Sequence, residues 1–175
     1  MDNNEIKIVI NAGHFVGMDC GAVGHGLQEA DINLSVSHLI VDKLKDKGYN
    51  AILVAHDELY DITAESNAFG ADVFVSIHCN ASNANMAQGT ETYHHPFSDQ
   101  GRILATKVQS ALLSNVHDLI NRGVKTSNFY VLNHTDCPAI LVELAFISNF
   151  YDAQILRNRQ EELASAVVQG IEDYF

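Results

Sequence analysis

A chain of 175 residues, 47% hydrophobic and 18% charged, is long enough to bury a core and too apolar to stay disordered. Its formal net charge of −12 leaves no basic footprint, which excludes nucleic acid as a partner and disfavours an anionic membrane surface. Three cysteines without a CxxC spacing give neither a disulfide framework nor a structural zinc ribbon, and no apolar run reaches the length of a membrane span.

The chain opens on MDNNEIKI, which has no secretory leader, so it is expected to work without one or to be the catalytic piece of a longer protein. Residues 6–11 (IKIVIN) read as a short, β-branched, buried strand. Residues 12–28 carry five glycines and read as a loop. From Glu29 to Lys47 the apolar positions Ile32, Val36, Leu39, Ile40 and Leu44 recur at helical spacing, and Gly48 stops the helix. A second strand is expected at 50–55, a short helix at 61–69 before Gly70, and a third strand at 73–78. Residues 89–95 (GTETYHH) alternate as a half-exposed strand does, and a helix is expected over 98–115. Strands near 129–132 and 139–143 follow, then helices near 150–157 and 159–174. This order predicts an α/β fold: one domain over residues 1–175, with a mainly parallel, mixed sheet of about six strands and helices on both faces.

Two histidines end buried strands, His14 after IKIVINAG and His78 after DVFVSI. Strand ends facing one crevice are where open α/β sheets place their chemistry, and imidazoles on different strands converge on one ion far more readily than two on opposite helix faces. The remaining histidines are read as ordinary. Glu29 opens the first helix, where a carboxylate meets the positive end of the helix dipole, so position alone supports cap and ligand equally. Glu143 lies inside AILVELAFI, and a carboxylate in so apolar a run must be paired, metal-bound or catalytic. Burial raises its pKa and a nearby cation lowers it, a balance that suits a general base near neutrality. The bland alternative is an ion pair with Arg122 or Lys125. Cys20, Cys79 and Cys137 are read as buried or semi-buried small apolar residues, although a cysteine-hydrolase dyad with His14 or His78 is conceivable.

NAGHFVGMDCGAVGHGLQEAD, VFVSIHCNAS, GTETYHH and CPAILVELAFISN resemble, in order and spacing, the type 3 N-acetylmuramoyl-L-alanine amidases, zinc-dependent hydrolases of peptidoglycan. The resemblance runs from about residue 6 to 174, and its most specific pieces are SIHCNAS and LVELAFISN. It implies one catalytic zinc ion held by His14, Glu29 and His78, with Glu143 as the catalytic glutamate. The implied reaction is cleavage of the amide joining N-acetylmuramic acid to the L-alanine of the stem peptide by zinc-activated water. The implied partner is peptidoglycan, reached outside the cytoplasm, in a spore or during phage lysis. Departures are Cys20 where the family often has proline, Ala145 where it often has glycine, and no arginine in AHDELYDITAESNAFGAD. The segment between His78 and Glu91 is too short for an autoinhibitory helix, so an open site is expected. The rival readings are a zinc carboxypeptidase-like hydrolase and a wall-binding module whose metal site has lost turnover.

Overall fold

Short β-branched runs flanked by glycine build the middle of a sheet. In the computed structural model, which describes residues 2–84 and 86–175, all of IKIVIN but Ile6 lies in β1 (Lys7–Ala12), with Ile8, Val9 and Ile10 fully buried. A two-strand ribbon, β2 (Val23–Gly24) and β3 (Leu27–Gln28), follows, then helix α1 (Glu29–Asp46), β4 (Asn50–Val54) and helix α2 (Leu59–Phe69). Next come β5 (Val73–Asn80), β6 (Thr90–His94), helix α3 (Asp99–Asn115) and β7 (Asn121–Thr126). The chain ends with α4 (Tyr130–Asn133), β8 (Ala139–Phe146), α5 (Phe150–Asn158) and α6 (Gln160–Glu172). The main sheet has the order β4-β1-β5-β8-β6-β7. β4, β1, β5 and β8 are mutually parallel, β6 runs antiparallel to β8, and β7 lies parallel to β6. The mixed six-stranded α/β sheet expected from the sequence is the one observed.

The period-two alternation of the strands divides the side chains between two unequal layers. Ile8, Ile10, Val75, Ile77, Ile140, Val142 and Leu144 enter a large core with α1, α3, α5 and α6. Val9, Phe74 and Leu141 point the other way, into a smaller cluster with Ile62 of α2 and Val131 and Leu132 of α4, rimmed by the half-buried Phe69, Ala71, Tyr93 and Cys137. The second face is therefore thin, and the upper part of the sheet remains open to solvent there. The thick layer is closely fitted: a Cβ on Gly170 of α6 would lie 2.4 Å from the Val108 Cα of α3.

Helix ends follow the sequence signals. Gly48 and Gly70 adopt positive φ (88° and 71°) just past α1 and α2. Ser98 accepts a hydrogen bond from the Gly101 N–H, and Asn149 accepts from the Tyr151 and Asp152 N–H groups.

One expectation fails, and one strand was not foreseen. Residues 129–132 are not a strand. The Phe129 carbonyl accepts from the Leu132 and Asn133 N–H groups, which starts α4 and turns Val131 and Leu132 onto the thin core. The strand of this region is β7, eight residues earlier, which pairs with β6 through polar, half-exposed residues.

Candidate metal centre and active-site crevice

The turn after β1 fixes the first donor. Gly13 N–H bonds the Ile77 carbonyl at 3.0 Å, tying the turn to β5, and His14 then takes φ 61°, a left-handed conformation uncommon outside glycine. A bridge between Phe15 and Asp19 closes the loop. Asp19 Oδ2 accepts from His14 Nδ1–H at 2.6 Å, and its Oδ1 accepts from Gly21 N–H at 3.0 Å. With Nδ1 so engaged, His14 presents Nε2 to the crevice, the arrangement by which an outer carboxylate orients a ligating imidazole.

Glu29, the first residue of α1, is 4% exposed. Its Oε2 accepts from Ala22 N–H at 2.9 Å, and its Oε1 accepts from Cys79 N–H at 3.1 Å. The same Oε1 stands 3.3 Å from His14 Nε2 and 3.1 Å from His78 Nδ1. Burial works against this charge, but the bonds from His14, His78 and Ala22 outweigh it and hold the carboxyl well below the usual range. The Glu29 bond, opposed by burial and helped by Asp19, raises His14 to about 9. One donor atom from each of His14, Glu29 and His78 lies within 4.8 Å of the others. Two imidazoles and a carboxylate meeting at one point, with the anion already buried, fit a divalent ion of the zinc type. The backbone is shaped around them: a Cβ on Gly13 would sit 2.2 Å from the His78 ring.

Beside this trio, register sets out a row on the thin face. His78 of β5 is the Cα partner of Glu143 of β8, which in turn is the partner of Glu91 of β6. Glu143 Oε2 is enclosed and has no hydrogen-bond partner among the described residues. Burial first, then the charges of Glu29 and Glu91, push its carboxyl up to about 8. A cation held by the neighbouring trio would pull it back towards neutrality. Glu143 does not pair with Arg122 or Lys125, as the bland reading offered. Both cations go to Glu91 Oε2, at 2.6 Å from Arg122 Nε and 2.5 Å from Lys125 Nζ. Glu91 Oε1 accepts from Asn80 Nδ2 at 2.8 Å and from the Tyr93 hydroxyl at 2.7 Å. Against the cost of burial, the bonds from Lys125, Tyr93 and Arg122 hold Glu91 at about 2.

The crevice over this row has a volume of about 400 Å³, with Asn11 and Ser76 on its floor and His56, Phe129 and Tyr130 on its walls. His14, His78 and Glu143 all line it. The cysteines stay out of the chemistry. Cys79 is buried, its thiol pushed well up by burial, and its Sγ donates to Asn33 Oδ1; Cys20 is exposed, contrary to the apolar reading, and points at the Gly21 carbonyl. Among the described residues no hydrogen bond joins a cysteine to a histidine. Two functional side chains escaped the sequence. Asp19 signalled itself only by lying five residues past His14 in a glycine-rich turn, and Glu91 only by alternating within GTETYHH.

Comparison with known proteins gives a consistent result. The family model described as N-acetylmuramoyl-L-alanine amidase matches residues 8–173. The chain is 43% identical to the uncharacterized protein YqiI of Bacillus subtilis over 96% of this chain and 84% of that one. It is 34% identical to the N-acetylmuramoyl-L-alanine amidase LytC of the same species, over 96% of this chain but only 35% of LytC. Among solved structures, the amidase AmiC2 of Nostoc punctiforme superposes with a TM-score of 0.90 at 34% identity, covering 97% of this chain and 96% of that one. An N-acetylmuramoyl-L-alanine amidase from Clostridium difficile 630 gives 0.89 at 34% identity, with 98% and 97% covered.

Proposed function

Because the chain belongs to the N-acetylmuramoyl-L-alanine amidase family, a family of peptidoglycan hydrolases, we propose that it cleaves the amide between N-acetylmuramic acid and the L-alanine of the stem peptide, as a single catalytic domain, with one zinc ion held by His14, Glu29 and His78. The observation that carries this reading is the Glu143 carboxyl, with one oxygen enclosed and without a partner among the described residues and its pKa raised to about 8, in the same register row as His78.

Each residue has a separable task. His14, Glu29 and His78 hold the ion, and Asp19 fixes the His14 ring by accepting its Nδ1 proton. Zinc, when bound, supplies Lewis acidity towards water and the amide carbonyl. Glu143 takes a proton from the water as its oxygen attacks the carbonyl carbon, then returns that proton to the amide nitrogen as the carbon–nitrogen bond breaks. A carboxyl near neutrality is suited to both halves of this exchange, since it neither holds nor releases the proton too strongly. A wall polymer as substrate puts the site of action outside the cytoplasmic membrane, whether in growth, sporulation or phage lysis. Among the described residues no helix is long and apolar enough to cross a membrane.

Mass spectrometry of muropeptides after digestion tests the reading. Intact stem peptides released from glycan by the zinc-loaded protein, and not by the metal-free one, are expected. Release of single terminal amino acids instead would assign a carboxypeptidase. Glu143→Gln is expected to keep its zinc and lose about a hundredfold to ten-thousandfold in kcat, the usual worth of a general base. Full turnover by that variant would remove Glu143 from the role.

A further inference from the structure

The register row does not stop at Glu143. Glu91 follows on β6, and its carboxylate reaches past the strand pairing to hold Arg122 and Lys125 of the edge strand β7, so this end of the row carries more positive charge than Glu91 alone requires. Glu91 is one anion, 3% exposed, and it holds two cations on a single oxygen. Counted against Glu91 alone the pair leaves one surplus positive charge, and the next carboxylate to feel Arg122, Asp152, is buried and turned to the backbone N–H groups of Gly89 and Phe146. Both heads remain reachable: the side chains of Arg122 and Lys125 are 33% and 37% exposed. Arg122 uses only Nε on Glu91 and lies over the Phe146 ring at 4.7 Å, so its two terminal nitrogens have no acceptor among the described residues. Lys125 spends one of three donors.

This cluster adjoins the crevice. Tyr93, which donates to Glu91, meets Phe129 edge-on at 5.3 Å, and Phe129 is a wall of the crevice that Glu143 lines. β7 stands two strands from β8, which at the usual strand spacing separates the cations from Glu143 by about 10 Å. An extended peptide covers that distance in about three residues. A guanidinium with a free two-nitrogen edge, beside an ammonium, is the donor set that takes a carboxylate.

We propose that Arg122 and Lys125 form a subsite for a free carboxylate on the peptide portion of the substrate, about three residues from the bond that is cut. The proposal rests on the amidase reading and adds to it a preference among peptides. Glu91 is then a positioning residue: buried and ionised, it anchors both cations at the level of the row while leaving their outer donors free.

The test uses the zinc-loaded protein and two soluble muramyl-peptides of one sequence, with their peptide carboxylates either free or amidated. The wild-type protein is expected to cleave the free form with kcat/KM about tenfold to a hundredfold higher, the usual worth of a charge-assisted hydrogen bond. In Arg122→Gln and in Lys125→Gln the ratio of the two rates is expected to fall towards one. Each variant leaves Glu91 one cation, so its buried charge stays compensated. Arg122→Lys, which retains charge without the fork, should keep part of the ratio. Equal wild-type rates on the two forms would overturn the subsite and leave the amidase reading standing. Variants that lose both rates alike, keeping the ratio, would reduce the cations to a structural role. Cleavage of neither substrate would overturn both readings.

Discussion

Replacing Glu91 by glutamine removes the charge from the best-connected buried group beside the crevice, and the structure sets both the size and the pH dependence of the effect. Glutamine keeps the shape and one acceptor. It loses the charge that binds Arg122 Nε at 2.6 Å and Lys125 Nζ at 2.5 Å. Hydrogen bonds to a charged group contribute about 1.5–3 kcal/mol each, and stranding the partners of a fully buried ion pair costs about 3–5 kcal/mol. Here both cations are about one-third exposed and regain water, so a loss of about 2–3 kcal/mol is expected, or about 5–10 °C in Tm for a chain of this size. The folded-state carboxyl is depressed from 4.5 to about 2, so its stabilisation is complete above the unfolded value and disappears as pH falls through the folded one. Urea unfolding of wild-type and Glu91→Gln protein, both metal-free, should show the full gap at pH 7. The gap should narrow below about pH 4.5 and close near pH 2. A gap of the same size at pH 7 and pH 3, or one under about 0.5 kcal/mol at pH 7, would refute the account.

Three further substitutions probe other parts of the same structure. Gly13→Ala places a Cβ 2.2 Å from the His78 ring, so the ring must leave its position; zinc affinity, titrated against a chelator, should fall more than about a hundredfold while far-UV circular dichroism stays native. Wild-type affinity would contradict this. Asp19→Asn preserves the loop bond from Gly21 but weakens the grip on His14 Nδ1, and the exposure of Asp19 puts the expected loss of zinc affinity at the low end for such partners, about tenfold. No change in affinity would separate Asp19 from the metal site. Gly170→Ala drives a Cβ to 2.4 Å from the Val108 Cα, backbone that cannot step aside, so overpacking of about 1–3 kcal/mol should exceed the gain of about 1 kcal/mol in helix propensity. A rise in Tm would show that α6 and α3 separate more readily than their packing implies.

Most of the fold is legible because its strands carry their signal locally. IKIVIN, VFVSI and AILVEL are short, β-branched and bounded by turns, and buried parallel strands need little else. β7 carries no such signal. NRGVKT is polar, contains Gly123 at φ 85°, and is a strand only because β6 offers it an edge. FYVL misled in the opposite direction: four apolar residues cannot display a period of 3.6, and the tertiary demand for cover over Val9 and Phe74 settles them as a helical turn. The same limit applies at the site. His14 and His78 are visible because they terminate strands. The role of Glu91 depends on a register that only pairing creates, and sequence distance gave no reason for Arg122 and Lys125 to choose it over Glu143.

The order in which the chain supplies the site has a temporal consequence. The three proposed metal donors lie in the loop after β1, at the start of α1 and in β5, so they are complete by His78. Glu143 arrives only with β8, last of the strands in the chain, which must insert between β5 and β6. A slip of one residue there would turn Glu143 into the thick core. On the proposed roles, a chain still being made would gather its metal donors early and remain inert, and the ability to cut would begin when the final strand closes the middle of the sheet.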